Sequence, residues 1–216
     1  MNKNQLKFLN DILKPWDELN NFLMNPYCVS PELSDITRNA ISIAINLSHF
    51  AENSGLCKRK ETSDDLIENT ILIDIADMSK HSQLRDQRRE NNIVVSSMFQ
   101  CHDNKQFRFL RNVINVNHNT HGKTDFMEIS LIAIRYWVEK LELAIDREIL
   151  YSNGEFYEKA KLIFNPQYCI QVKNTQYLFV KEVENSRYVP FHPAGFYIEI
   201  NDLHGEVLAF ADVVNN

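Results

Sequence analysis

The chain has 216 residues, 44% of them hydrophobic and 24% charged, with only 5 glycines and 6 prolines. That composition excludes a loop-rich or disordered polypeptide and fits one large domain, or a core domain with a smaller appendage. The formal charge of −6 offers no overall attraction to nucleic acid or to an anionic membrane surface.

In chain order, residues 4–14 and 15–25 are predicted to form two helical pieces broken at Lys14-Pro15, because proline opens a helix more readily than it continues one. Ser30-Pro31 starts a longer helix, with Ile36, Ala40, Ile43, Ala44, Leu47 and Ala51 at helical spacing, that stops near Asn53-Ser54-Gly55. The segment "CKRKETS" reads as a charged loop, after which Thr62 or Ser63 caps a helix running to about Ser79–Ser82. "IVVSSMFQC" and "QFRFLRNVINV" read as strands joined across "HDNK", a hairpin over 93–118. Asp125 and Glu128 have capping-box spacing for the next helix, which places Met127, Leu131, Ile134, Val138, Leu141 and Ile145 on one face and ends before Tyr151-Ser152-Asn153-Gly154. The last third reads as the strands "YCIQV", "QYLFVKEV", "FYIEI" and "EVLAFADVV", with turns at "KNT", "NSRYVPFHPAG" and "NDLHG".

The expected fold class is therefore α+β: a mainly helical N-terminal core over residues 1–150 with an inserted β-hairpin, followed by a small antiparallel β-rich C-terminal region over 151–216. The C-terminal region either stands as an extension or packs with the core. No glycine-rich phosphate loop occurs, which argues against a Rossmann or P-loop nucleotide site. The N-terminal stretch lacks a signal-peptide apolar segment, and the most apolar helical stretch, "ISLIAIRYWV", is short and carries Arg135, so no membrane association is expected. Cys28, Cys57, Cys101 and Cys169 form no CxxC pair, which points to a reduced, cytoplasmic protein without a zinc knuckle or disulfide framework.

The most informative polar feature lies in "ILIDIADMSKHS". On a helical wheel Ile67, Ile71, Ile75 and Met78 form one apolar stripe, and Leu66 and Ile73 a second. Asp65, Glu68, Asn69 and Ser79 make an ordinary solvated face, while Thr70, Asp74, Asp77 and His81 form an extra polar strip between the apolar stripes. A carboxylate facing another element needs a cation or several donors, since burying it alone is costly. Candidate partners are His81, Lys80, the run Arg85, Arg88 and Arg89, or Arg38 and His49. The strip is then either a buried ion-pair network, with Lys80 and His81 favoured near the helix C-terminus by its dipole, or a ligand pocket, a carboxylate–histidine pair or an interface.

Other constellations are weaker. "HNTH" places His118 and His121 at a chelating spacing, but a third ligand is missing and no metal or other cofactor is expected. Cys101-His102-Asp103 reads as the hairpin turn. Arg85, Arg88 and Arg89 are offset by Asp86 and Glu90, so nucleic-acid binding there is not favoured, and a phosphate patch needs Lys58, Arg59 and Lys60 nearby. Trp16 and Trp137 read as core. The aromatic tail, with Tyr168, Tyr177, Phe179, Phe191, Phe196, Tyr197 and Phe210, suits a sheet whose edges could accept a partner strand.

Two patterns resemble HEPN-type bacterial proteins. Arg111, followed by Asn112 and, after six residues in all, by His118, matches the loose Arg-x(4–6)-His signature of HEPN ribonucleases, in which the resemblance implies proton transfer by histidine and phosphate holding by arginine. On a strand, however, residues seven apart face opposite ways. Over residues 31–147, the "DIAxxxKH" signature Asp74-Ile75-Ala76-Asp77-Met78-Ser79-Lys80-His81, the late His49 and Tyr136-Trp137 resemble a HEPN-like group linked to defence and mobile-element loci. Asp77 stands where that group more usually has asparagine, and the resemblance implies no catalytic role for Lys80 or His81. The expected function is a non-catalytic binding or assembly protein, an accessory subunit of a bacterial multi-component system, acting with a protein partner or as a homo-oligomer. The alternative is a metal-independent ribonuclease using Arg111 with His118, or His81 with Asp77 and Asp74.

Overall fold

The computed structural model describes residues 1–30, 35–81, 83–103, 105–172, 175–184 and 187–214, with side chains described as far as Ala209. The predicted helix start at Pro31, the helix end at Ser82, parts of the turns "HDNK", "KNT" and "NSRYVPFHPAG", and the Phe210 side chain lie outside that description.

The elements are α1 (Lys3–Phe8), α2 (Lys14–Phe22), α3 (Asp35–Ser54), α4 (Arg59–Asp65), α5 (Ile67–Met78), β1 (Asn91–His102), β2 (Gln106–His118), β3 (Gly122–Asp125), α6 (Phe126–Lys140), β4 (Ala160–Ile163), β5 (Gln176–Val183), β6 (Arg187–Pro190), β7 (Gly195–Asn201) and β8 (Val207–Val214). Two sheets form, one with strand order β3-β2-β1-β5-β6 and the other with order β4-β7-β8. In the first, β1 runs parallel to β5, with Ser96 opposite Gln176 and Gln100 opposite Val180. The β2–β3 and β5–β6 pairs are antiparallel. In the second, β4–β7 is parallel and β7–β8 antiparallel.

This overturns the expected helical core with an inserted hairpin and a small antiparallel C-terminal β region. The α-helices lie between residues 3 and 140, most of them in the N-terminal half, but the strands of the expected hairpin belong to a large mixed sheet, completed by β5 and β6 from the chain's last third. Periodicity reports which face of a strand is apolar; it carries no information on which distant strand lies alongside.

The chain divides into two compact units, each drawn from three segments. The first comprises Met1–Phe22, Asp35–Val94 and Ile114–Ile149, and holds every α-helix found among the described residues. Its first helix does not break at Lys14-Pro15. A π-helical turn, Leu9–Leu13, joins α1 to α2, and the Lys14 N–H bonds to the Leu9 carbonyl. That widened turn immediately before Pro15 takes up the residue that brings no N–H, so the helix continues. Ile36, Ala40, Ile43, Ala44, Leu47 and Ala51 of α3 are all buried. Phe8 packs edge-on to Phe50, with centroids 5.4 Å apart, and Phe50 packs edge-on to Trp137 at 4.8 Å. Trp16 is fully buried, and its Nε1–H donates to Ser130 Oγ at 2.8 Å.

Two boundaries differ from expectation for local reasons. α6 ends at Lys140 rather than near residue 150, because Glu142 adopts a left-handed φ of 52°. The Glu142 and Leu143 N–H groups then bond back to the Glu139 and Val138 carbonyls, a helix stop usually built on glycine. In "CKRKETS", Thr62 and Ser63 do not cap a following helix. Their hydroxyls donate to the Arg59 and Lys60 carbonyls three residues back, inside α4.

The second unit comprises Leu23–Ser34, Val95–Val113 and Leu150–Asn216. Its core gathers Phe99, Phe107, Phe109, Phe179, Phe196 and Ile198, with the Phe179 and Phe196 centroids 4.4 Å apart. Cys28, Cys101 and Cys169 are buried free thiols in the same cluster. Burial pushes the Cys28 and Cys101 thiols up to about 12 each. "YCIQV" is not a strand: Asn165 Oδ1 accepts from the Gln167 N–H at 3.0 Å, and the Asn165 carbonyl accepts from Tyr168 and Cys169, forming a turn.

Candidate functional site

The polar strip of α5 lies in the first unit, and its carboxylates close a network with side chains from two other segments. α4 and α5 meet at Leu66, whose extended backbone (φ −151°, ψ 124°) reverses the chain. The last carbonyls of α4 are then met by side chains of α5: Asn69 Nδ2 donates to the Thr62 carbonyl at 3.0 Å and Thr70 Oγ1 to the Ser63 carbonyl at 3.3 Å. This junction brings Arg59 against the strip. Its Nη2 donates to Asp77 Oδ1 at 2.8 Å and to the Ile73 carbonyl at 3.4 Å. Arg89 arrives from the far side, with Nε donating to Asp74 Oδ1 and Nη2 to Asp77 Oδ2, both at 2.7 Å. Asp74 Oδ2 lies 3.1 Å from His118 Nε2 at the end of β2.

The turn after β2 sets this geometry. Asn119 Nδ2 donates to the Gln87 carbonyl and Thr120 Oγ1 to the Arg88 carbonyl, both at 2.7 Å, and the Asn119 N–H bonds the Glu90 carbonyl at 3.0 Å. The 3₁₀ turn Gln87–Arg89 is thereby held so that Arg89 reaches the carboxylates. The same turn points the backbone N–H groups of Thr120 and His121 at His118 Nδ1, at 3.1 and 3.3 Å. With two donors facing it, Nδ1 is an acceptor, so Nε2 carries the proton and donates it to Asp74. Both ring nitrogens of His118 are thus committed inside the protein.

Burial and charge oppose each other in the network. Burial acts to raise the Asp77 carboxyl, but hydrogen bonds and charge from Arg59 and Arg89 outweigh it and hold the group below the usual carboxylate range. Burial likewise acts to lower Arg89, and its bonds to Asp74 and Asp77 raise it instead. On its outer side the network borders an open cleft of about 460 Å³, whose lining includes Lys58, Arg59, Lys60 and Arg89 with Glu52 and Asp77.

Of the predicted strip, Asp74 and Asp77 join one network, Thr70 bonds the Ser63 carbonyl instead, and Lys80 and His81 do not join them. Lys80 Nζ donates to His49 Nε2 at 2.8 Å, His49 Nδ1 lies 3.6 Å from Glu52, and His81 is exposed. Arg38 pairs with Asp35 at 2.8 Å. Ile67 is exposed and Asn69 is buried, the reverse of the wheel's assignment. Arg88 is taken by Asp86, with Nε and Nη2 at 2.9 and 2.8 Å from the carboxylate, and Arg85 is exposed. Arg111 belongs to the second unit, is buried, donates from Nε to the Asn112 carbonyl at 3.1 Å, and lies over the Tyr151 ring at 5.8 Å. It shares strand β2 with His118, and their separation of seven residues directs the two side chains to opposite faces of that strand. The His121 ring lies beside that of His118, tilted by 42° with centroids 4.7 Å apart.

Sequence reasoning missed Arg59 and His118 as partners of the strip. Arg59 falls in a segment read as loop, and His118 was read as half of a ribonuclease motif or of a metal chelate. Comparison of the chain with protein-family models, curated proteins and solved structures returns no match.

Proposed function

We propose that the chain is a non-catalytic binding or assembly protein. The observation that carries this reading is the β7–β8 ribbon of the second unit. Tyr197, Leu203, Val207 and Leu208 on it are between 46% and 57% exposed, and β8 is one of the two edge strands of its sheet. An apolar edge strand is a template for pairing with another chain, and natural proteins usually blunt or cover it. The reading extends to a cytoplasmic accessory subunit of a bacterial multi-component system, defence or mobile-element in type; that setting rests on the HEPN-like resemblance alone.

The test is co-expression with the products of adjacent genes, followed by light scattering on the eluted species. A complex or homo-oligomer of defined mass, lost in Val207→Lys/Leu208→Lys, is expected. A monomer in every combination, or an assembly indifferent to both lysines, would overturn the reading. The ribonuclease alternative predicts EDTA-resistant RNA cleavage abolished in Arg111→Ala, His118→Ala or His81→Ala. It stands second because proton transfer by His118 would require breaking either its bond to Asp74 or those from Thr120 and His121.

A further inference from the structure

The cleft beside the network holds more positive charge than its surroundings use. Four cations and two carboxylates line it, on a chain of net charge −6. Asp77 is shared by Arg59 and Arg89, and Asp74 draws further on Arg89. The ammonium groups of Lys58 and Lys60 form no ion pair with any described residue, and both side chains are exposed. The carboxylates also do something for the arginines: they fix each guanidinium in direction while engaging only part of its donor set. The Nη1 of Arg59 and the Nη1 of Arg89 make no hydrogen bond among the described residues.

Two anchored guanidiniums beside two free ammoniums is a donor set suited to a compact, multiply charged oxyanion. Arginine supplies a preoriented fork and lysine an adjustable point charge. The cleft volume of about 460 Å³ lies within the range of small-molecule sites, roughly 300–1,000 Å³. We propose that this cleft binds the phosphomonoester group of a small ligand. Lys58 and Lys60 contact the phosphate as point charges, and Arg59 and Arg89 donate to it from the nitrogens that Asp74 and Asp77 leave over. The same phosphate chemistry occurs along a polynucleotide, but two features disfavour that source. Glu52 stands in the cleft lining, and Arg88, which would extend a basic track, is held by Asp86. The site is independent of the β7–β8 ribbon, so neither proposal stands on the other.

The test is calorimetric titration of the full chain with inorganic phosphate, a nucleoside 5′-monophosphate, the unphosphorylated nucleoside, and a single-stranded oligoribonucleotide lacking terminal phosphates, all at one ionic strength set with chloride. Phosphate and the nucleotide are expected to bind and to compete, the nucleoside to give no heat, and Lys58→Gln/Lys60→Gln to weaken the nucleotide about tenfold or more. Both lysines are exposed, so the double variant should unfold at the wild-type midpoint. Arg59→Lys, which keeps the charge and loses the fork, should also weaken binding. Absence of binding by phosphate and nucleotide, equal affinity in the lysine double variant, or oligonucleotide affinity that grows with length and exceeds the nucleotide's would each overturn the proposal.

Discussion

Asp74→Asn is the most demanding test of the network, because the change preserves shape and alters only what the side chain can accept. Asp74 and His118 are 2% and 1% exposed, so neither can turn to water. Donors reach Asp74 from both sides, Arg89 at Oδ1 and His118 Nε2 at Oδ2. Asparagine offers one carbonyl and one NH₂, so whichever way it lies one donor meets another donor. His118 cannot switch tautomer to relieve this without losing the Thr120 and His121 N–H bonds at Nδ1. Leaving the imidazole N–H without an acceptor costs about 1–3 kcal/mol. The Arg89 side chain is 40% exposed and keeps Asp77, so its share is about 1 kcal/mol or less. Asparagine's carbonyl still satisfies one of the two donors, so the costs are alternatives and the loss is about 1–3 kcal/mol, a fall of roughly 2–12 °C in Tm for a chain of this size. Urea unfolding followed by tryptophan fluorescence suits the measurement, since Trp16 and Trp137 are both buried. A cycle with His118→Ala should return a coupling of about 1–3 kcal/mol. Asp74→Asn within about 0.5 kcal/mol of wild type, or strict additivity in the cycle, would show that the two side chains do not depend on each other.

Three further outcomes follow from the same structure. Asp77 is held below its ordinary value of 3.8, so its contribution is complete above that pH and disappears as pH falls through the lower folded value. The stability gap between wild type and Asp77→Asn should therefore be constant near neutrality and close in acid, as read from urea midpoints between neutral pH and strongly acidic buffer. Ser130→Ala should cost about 1–3 kcal/mol by leaving the buried Trp16 Nε1–H without its acceptor, whereas Trp16→Phe should leave Ser130 satisfied through the Met127 carbonyl. Thiol titration with an aromatic disulfide reagent should modify Cys57, the one partly exposed cysteine, in the native protein, and all 4 only after unfolding.

The parts of the fold visible in the sequence are those decided within a few residues. The apolar stripe of α3 and the existence of strands β1 and β2 read directly, the first from its helical spacing and the others from β-prone apolar runs bounded by turn residues. What stayed hidden was either local chemistry that mimics a different signal or pairing over long range. Thr62 and Ser63 have cap-forming side chains but spend them on carbonyls three residues back, and Glu142 takes a conformation that favours glycine. The parallel pairing of β1 with β5 joins segments separated by β2, β3, α6 and β4, and nothing in either segment names the other.

The candidate site divides along the same line. The helical wheel set Asp74 and Asp77 on a strip apart from the solvated face, where carboxylates call for cations, and Arg89 was among the residues that could supply them. Which cations answer depends on the α4–α5 reversal at Leu66 and on the turn after β2, neither of which a wheel can see. His118 makes the point most sharply. As a letter in a spaced motif it suggests proton transfer, and as a neighbour of His121 it suggests a metal. Its ring favours a third role, since one nitrogen serves Asp74 and the other collects two backbone N–H groups. A histidine so placed works as a brace: it holds a buried carboxylate in the position from which that carboxylate orients Arg89. The chemistry that can reach a ligand therefore passes outward, from His118 through Asp74 to the guanidinium at the edge of the cleft.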